Sequence, residues 1–215
     1  MPKLQAVPHE TPCSIRAVAS AFVASALLIT LAAAASAEAS GDDAQSISRA
    51  GCVIRTTEID ARGIATVAAE CHWPLAPEAV LATLRDPEKL GVALSSLGEC
   101  KRLPDGRILQ VHTVGWPLDD RQVTLEWREA PLADGGVRIE YRRAEQQEPL
   151  AAGRVAILLD EGHWEIRAGG QGAMTLSYSS RYDAGGNLKP WVVRRFQKDG
   201  IATSLEELRA AAAGR

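Results

Sequence analysis

The sequence has no surplus of positive charge. Its 24 lysines and arginines stand against 27 aspartates and glutamates, for a formal net charge of −3. A nucleic-acid partner would want a basic face, so none is expected. The small basic group Arg194, Arg195 and Lys198 is what a solvated helix face commonly carries. Histidine is also scarce, with four in all. No two of them share a helix face and no paired-cysteine spacing accompanies them, so no metal site is expected. There is no Gly-x-Ser-x-Gly elbow, no phosphate-binding glycine loop and no dinucleotide fingerprint, and no cofactor is expected. Ser95-Ser96 and Ser179-Ser180 read as loop and strand hydroxyls rather than nucleophiles. Glu70 and His72 share a strand face and could form an acid–base pair, but any strand brings residues two apart to one face. No catalytic constellation emerges, and the protein is not expected to be an enzyme. Internal repeats and a second domain are lacking too.

What is present divides the 215 residues unequally. Lys3 and Arg16 precede a mainly apolar run without a charged residue from Ala17 to Ala35, and Ala35-Ser36-Ala37 forms a small-x-small site. Residues 1–37 therefore read as a signal peptide, cleaved after Ala37. The competing reading is a membrane anchor formed by residues 17–35, just long enough to span a bilayer but rich in weakly inserting alanine. No cysteine follows the run closely, so a lipoprotein is not expected. Either way the folded part lies outside the cytoplasm, periplasmic or secreted. Residues 38–50 are a small, polar, flexible lead-in, with one helical turn at 43–49, and residues 51–215 make one domain. At 46% hydrophobic, the chain is long and apolar enough for a real core.

The domain opens with two strands, Cys52–Ile59 and Gly63–Trp73, about the turn Asp60-Ala61-Arg62-Gly63. Residues of equal number-sum face each other across an antiparallel hairpin, which sets Cys52 opposite Cys71. A cross-strand disulfide is then geometrically possible in an oxidising compartment; two small buried thiols are the alternative. A one-residue bulge would destroy the pairing. Cys13 would leave with the signal and Cys100 has no partner. Pro77 starts a short helix over Glu78–Arg85, and 86–97 is a connecting segment. A meander follows, with strands at Cys100–Leu103, Arg107–Gly115, Arg121–Glu129 and Val137–Arg143. The last two alternate cleanly, which means one wet and one dry face. Residues 146–153 are a polar loop. Arg154–Arg167 is one long strand bent near Glu161-Gly162, and Met174–Tyr182 pairs with it. From Pro190, apolar residues recur at helical spacing to Leu208, giving an amphipathic helix that needs a large apolar partner. Gly200 lies within it and weakens it by about 1 kcal/mol.

Three stretches carry a resemblance. Trp116-Pro117-Leu118-Asp119-Asp120-Arg121 is similar to the Trp-Pro-x-x-x-Arg start of a strand in the START lipid-transfer domains. Glu161-Gly162-His163-Trp164 resembles their Gly-x-Trp strand. Tyr182-Asp183-Ala184-Gly185-Gly186-Asn187-Leu188-Lys189-Pro190-Trp191 resembles their Asp-Pro-Gly-Gly-x-Ile-Pro-x-Trp junction into the last helix, with Ala184 for the usual proline and Lys189-Pro190 in reversed order. The resemblance spans about Val53 to Arg209 and implies an α+β helix-grip fold: a curved antiparallel sheet of about seven strands wrapped around a long C-terminal helix. It also implies a hydrophobic tunnel for a sterol, phospholipid or other apolar molecule, with the last helix and nearby loops as lid.

Inward strand rows and the helix then name the candidate ligand-binding residues. Arg121, Val123, Leu125, Trp127, Ile139, Tyr141, Trp164, Ile166, Leu176 and Tyr178 belong to the sheet, and Trp191, Val192 and Phe196 to the helix. The plain alternative is that all of them simply form core, and about half are expected to line a cavity. Arg121 is the candidate polar anchor by strand parity, or else closes a rim salt bridge with Asp119 or Glu165. The expected function is an exported START-like carrier of a lipid or other apolar small molecule. It is expected to be monomeric and to touch a membrane transiently. The alternative is a cyclase- or hydrolase-like helix-grip enzyme using His112, Glu70, His72 and Tyr178 on an apolar substrate.

Overall fold

The computed structural model describes residues 46–115 and 117–215, apart from the side chains of Pro190, Arg195 and Phe196. The expected signal segment with Cys13, most of the lead-in, Trp116 and the Phe196 side chain lie outside the described residues. In chain order the elements are β1 (Ile47–Arg49), β2 (Cys52–Ile59), β3 (Ala65–Trp73), α1 (Pro77–Leu84) and α2 (Pro87–Ala93). β4 (Leu97–Arg102), β5 (Ile108–His112), β6 (Asp120–Pro131) and β7 (Val137–Arg143) follow. β8 (Arg154–Ala156), β9 (Leu159–Ala168), β10 (Met174–Asp183) and α3 (Pro190–Ala212) complete the chain. All ten strands join one sheet in the order β1-β2-β3-β10-β9-β7-β6-β5-β4, with β8 running parallel to β6 off that path.

The strand count is ten rather than about seven. β1 and β8 have three residues each, too few to print a period in the sequence. β1 also replaces the helical turn expected at 43–49. The long strand expected over 154–167 is two strands, broken at Ile157-Leu158 and not at Glu161-Gly162. One further helix, α2, occupies the segment read as a connection. Its signals are local: the Asp86 side chain accepts from the backbone N–H of Lys89, and Pro87 sits in the first turn, where a missing N–H costs nothing.

β2 and β3 place Cys52 opposite Cys71, and the two are joined as a disulfide. A bulge is present, between Thr56 and Glu58. Near the turn the pairing is Ile59 with Ala65 and Glu58 with Thr66; beyond the bulge it is Thr56 with Val67. The turn is thus centred one half-step later than the sequence suggests, and the bulge restores the register that sets the cysteines face to face.

The wet outer face carries ion pairs such as Arg138–Glu165 at 2.8 Å and Arg142–Glu126 at 2.7 Å. It is not wet everywhere. Gln122 and Thr124 on β6 are buried beneath the loop after β7. Where β7 runs out, the Gln147 amide takes its place: Oε1 accepts from the Thr124 N–H at 2.8 Å and Nε2 donates to the Thr124 carbonyl at 2.9 Å. The Thr124 carbonyl also accepts from the Ala144 N–H at 2.8 Å, just past the end of β7, so both backbone groups of this buried residue are satisfied.

The inner face has two zones. Towards α1, Ile139, Ile166 and Leu176 join Val80, Leu81 and Leu84 in a packed core that also takes Ala202, Leu205 and Leu208 of α3. Towards the other end the sheet and α3 stand apart. α3 runs unbroken through Gly200, but its halves differ. The C-terminal half is buried at Ala202, Leu205 and Leu208. It is tied by Arg49–Glu206 at 2.5 Å, by Arg209 donating to the Ala50 carbonyl at 3.0 Å, and by the Ser95 N–H donating to Glu207 at 3.0 Å. The N-terminal half is only partly covered, with Arg194 donating to the Gly63 carbonyl at 2.7 Å.

Candidate ligand cavity

Between the inner face and the N-terminal half of α3 lies a cavity of about 610 Å³, inside the range of about 300–1,000 Å³ typical of small-molecule sites. Its wall comes from β4, β5, β6, β7, β9 and β10, from Leu90 of α2 and Leu94 just after it, from 113–115 with Pro117 and Leu118, and from Leu188, Val192, Val193, Ile201 and Leu205 at the helix side. The lining is mostly apolar, as recognition of a hydrophobe requires.

Gly162 shapes the middle of the site. A Cβ there would lie 2.1 Å from the Ser179 carbonyl oxygen and 2.6 Å from the Tyr141 hydroxyl. Only glycine leaves room for the Tyr141 ring to lie across β9 and bring its hydroxyl within 3.0 Å of that of Tyr178. Trp164 and Tyr178, opposite each other on β9 and β10, contact with ring centroids 4.1 Å apart. Trp127 and Tyr141 sit across β6 and β7 at 6.5 Å. This gives the Gly-x-Trp strand a physical reason: the glycine admits one aromatic and the tryptophan supports another.

Polar groups gather towards Asp160. Its carboxylate Oδ2 lies 3.8 Å from His112 Nε2, and the His112 ring stacks on Tyr182 at 5.7 Å. Asp160 is 5% exposed. Burial, with a smaller contribution from Glu161, lifts its carboxyl to about 7, while burial lowers His112 to about 4. Both groups are thus pushed towards their neutral forms. Burial also raises the hydroxyls of Tyr141, Tyr178 and Tyr182. Among the described residues, the buried side-chain polar atoms without a hydrogen-bond partner include His112 Nε2, Arg121 Nε, Trp127 Nε1 and both amide atoms of Gln197. All four residues line the cavity.

Of the residues expected to bind ligand, Arg121, Leu125, Trp127, Tyr141, Trp164, Tyr178 and Val192 line this space. Ile139, Ile166 and Leu176 do not: they face inward but lie at the end sealed by α1. Val123 is fully buried between its strand neighbours. Trp191 is 58% exposed, because the helical phase from Pro190 turns Val192 and Val193 inward instead. The rim salt bridge considered for Arg121 is not formed: Asp119 accepts from Arg121 through its backbone carbonyl, and Glu165 is held on the outer face by Arg138 and Arg167. Glu70 and His72 are 3.5 Å apart but on the exposed face, away from the cavity. Sequence reasoning missed Asp160, Ser180, Tyr182, Gln110 and Gln197, together with Leu90 and Leu94.

No family model and no curated protein matches the sequence. Solved structures do match the fold. A STAR-related lipid transfer protein from Xanthomonas axonopodis superposes with a TM-score of 0.70 at 17% identity, over 79% of this chain and 98% of that one. Human STARD10 gives 0.69 at 18% identity, over 78% and 71%. The human StarD13 lipid transfer and protein localization domain gives 0.65 at 16%, over 78% and 87%. With its ten-stranded curved sheet, its terminal helix and the space between them, the chain has the START-type helix-grip fold.

Proposed function

We propose that the protein binds a lipid or comparable hydrophobic molecule in this cavity and carries it, outside the cytoplasm. The observation that carries the reading is the separation of α3 from the sheet, which leaves about 610 Å³ walled mainly by apolar side chains. Moving apolar surface from water into such a space contributes about 25 cal/mol per Å². The Xanthomonas and StarD13 fold neighbours, named for lipid transfer, support the same reading. Export is supported by the apolar run at 17–35 with its Ala35-Ser36-Ala37 site and by the disulfide, which persists in oxidising compartments. One experiment reads both parts: native mass spectrometry of protein recovered from outside the cytoplasm. The expected species begins at Glu38 and carries a solvent-extractable adduct. A bare mass with no uptake from a lipid panel would sink the carrier reading, and an intact N-terminus would sink cleavage.

A second reading, an enzyme acting on an apolar substrate, is favoured by one observation, the buried Asp160–His112 pair at 3.8 Å inside the cavity. Such a pair could move a proton. Turnover abolished in Asp160→Asn with ligand uptake intact would favour it. Uptake with no chemical change to the ligand in wild type would leave carriage alone.

A further inference from the structure

Among the described residues that line the cavity, Arg121 is a cation without an ion-pair partner. It is 4% exposed, lines the cavity, donates through Nη1 to the backbone carbonyl of Asp119, and leaves Nε without a partner. Of the carboxylates near it in sequence or in the sheet, Asp120 accepts from the Val114 N–H and Glu165 pairs outside with Arg138 and Arg167. Asp160 lines the same cavity but stands 3.8 Å from His112 with no hydrogen bond to it, and burial pushes its carboxyl towards the neutral form. Directly across the β5–β6 ladder from Arg121 stands His112, whose Nε2 is also unpartnered. A buried guanidinium with no counter-charge is costly. Among the described residues none forms an ion pair with Arg121, which leaves that counter-charge to whatever fills the cavity.

A carboxylate matches a guanidinium fork with two parallel hydrogen bonds. The volume suits a drug-sized molecule, one chain or one ring system, rather than a two-chain phospholipid. Resting on the carrier reading above, we propose that the cargo is a single-chain or single-ring-system amphiphile with a carboxylate head. The head binds inside on Arg121, with His112 beside it and the apolar part in the remainder of the cavity.

The test uses the mature chain stripped of lipid, with Nile red as a neutral apolar reporter. Palmitate, methyl palmitate, hexadecanol and hexadecyl phosphate compete for its site. One charge-assisted pair predicts that palmitate displaces the dye at about tenfold lower concentration, or better, than the ester or the alcohol. Arg121→Met should erase that preference, bringing palmitate to the same displacement as the ester and the alcohol measured on that variant. Arg121→Lys should keep part of it and serves as the second variant where Arg121→Met does not fold. Equal displacement by acid, ester and alcohol in wild type overturns the head-group assignment and leaves the carrier reading standing. A hexadecyl phosphate preference over palmitate also overturns the carboxylate. Failure of Nile red and all four competitors to bind overturns both readings together.

Discussion

Burial acts in opposite senses on Asp160 and His112, so their pH signatures should separate on mutation. Asp160 has a folded value of about 7 against about 3.9 unfolded. It supports the fold at acid pH and loses that support as pH rises from about 4 through 7. His112 has a folded value of about 4 against about 6.5 unfolded. It supports the fold above about 6.5 and loses that support as pH falls through 4. The two slopes oppose each other in the wild-type chain. Relative to wild type, Asp160→Asn should gain about 4 kcal/mol of stability between pH 4 and 7, and His112→Asn should lose about 3 kcal/mol between pH 4 and 6.5. Urea unfolding across that range checks both; parallel curves for all three proteins would refute the assignment. Asp160 was within reach of the sequence, since counting back in twos from the inward Trp164 passes Gly162 and arrives there. Placing a bend near Glu161-Gly162 spoiled that count. Ser180 and Tyr182 share the parity of Tyr178 in the same way. Gln197 was not within reach, because its position depends on how far α3 stands from the sheet.

At the scale of elements, β2, β3, β6, β7, β10 and α3 fall close to where alternation and helical spacing put them. These are long enough to show a period and carry one face at a time. α2 escaped because only Arg85 and Asp86 separate it from α1, and β8 because three residues show no alternation. The disulfided hairpin was legible for a partly compensated reason. The turn and the Thr56/Glu58 bulge each displace the register, in opposite directions. The two halves of α3 make a kinetic prediction. Residues 201–212 bury Ala202, Leu205 and Leu208 and are tied by Glu206, Glu207 and Arg209, whereas 191–200 are only partly covered and include Val192, Val193 and Gln197 of the cavity wall. Backbone amides of 191–200 should exchange hydrogen markedly faster than those of 201–212, and a bound hydrophobe should slow the first group only. Uniform exchange along the helix, unaltered by ligand, would contradict a cavity-facing half that responds to cargo.

The whole molecule was legible as a sheet gripping a helix, and the hollow between them only through the resemblance, its extent not at all. Whether inward Ile139, Ile166 and Leu176 pack or line a space depends on α1 sealing one end, which no single strand encodes. The two margins of the open sheet carry a last consequence. One is closed by β1, a strand of only three residues. The other is β4, which carries Lys101 and Arg102 and slips register between Leu97 and Glu99. Short, charged or kinked borders are poor templates for a foreign strand. The protein should therefore sediment as a single monomeric species, and a concentration-dependent dimer would show the borders to be open. A body that greases its inside and blunts its outside can fill or empty without exposing a surface on which its own copies would stick.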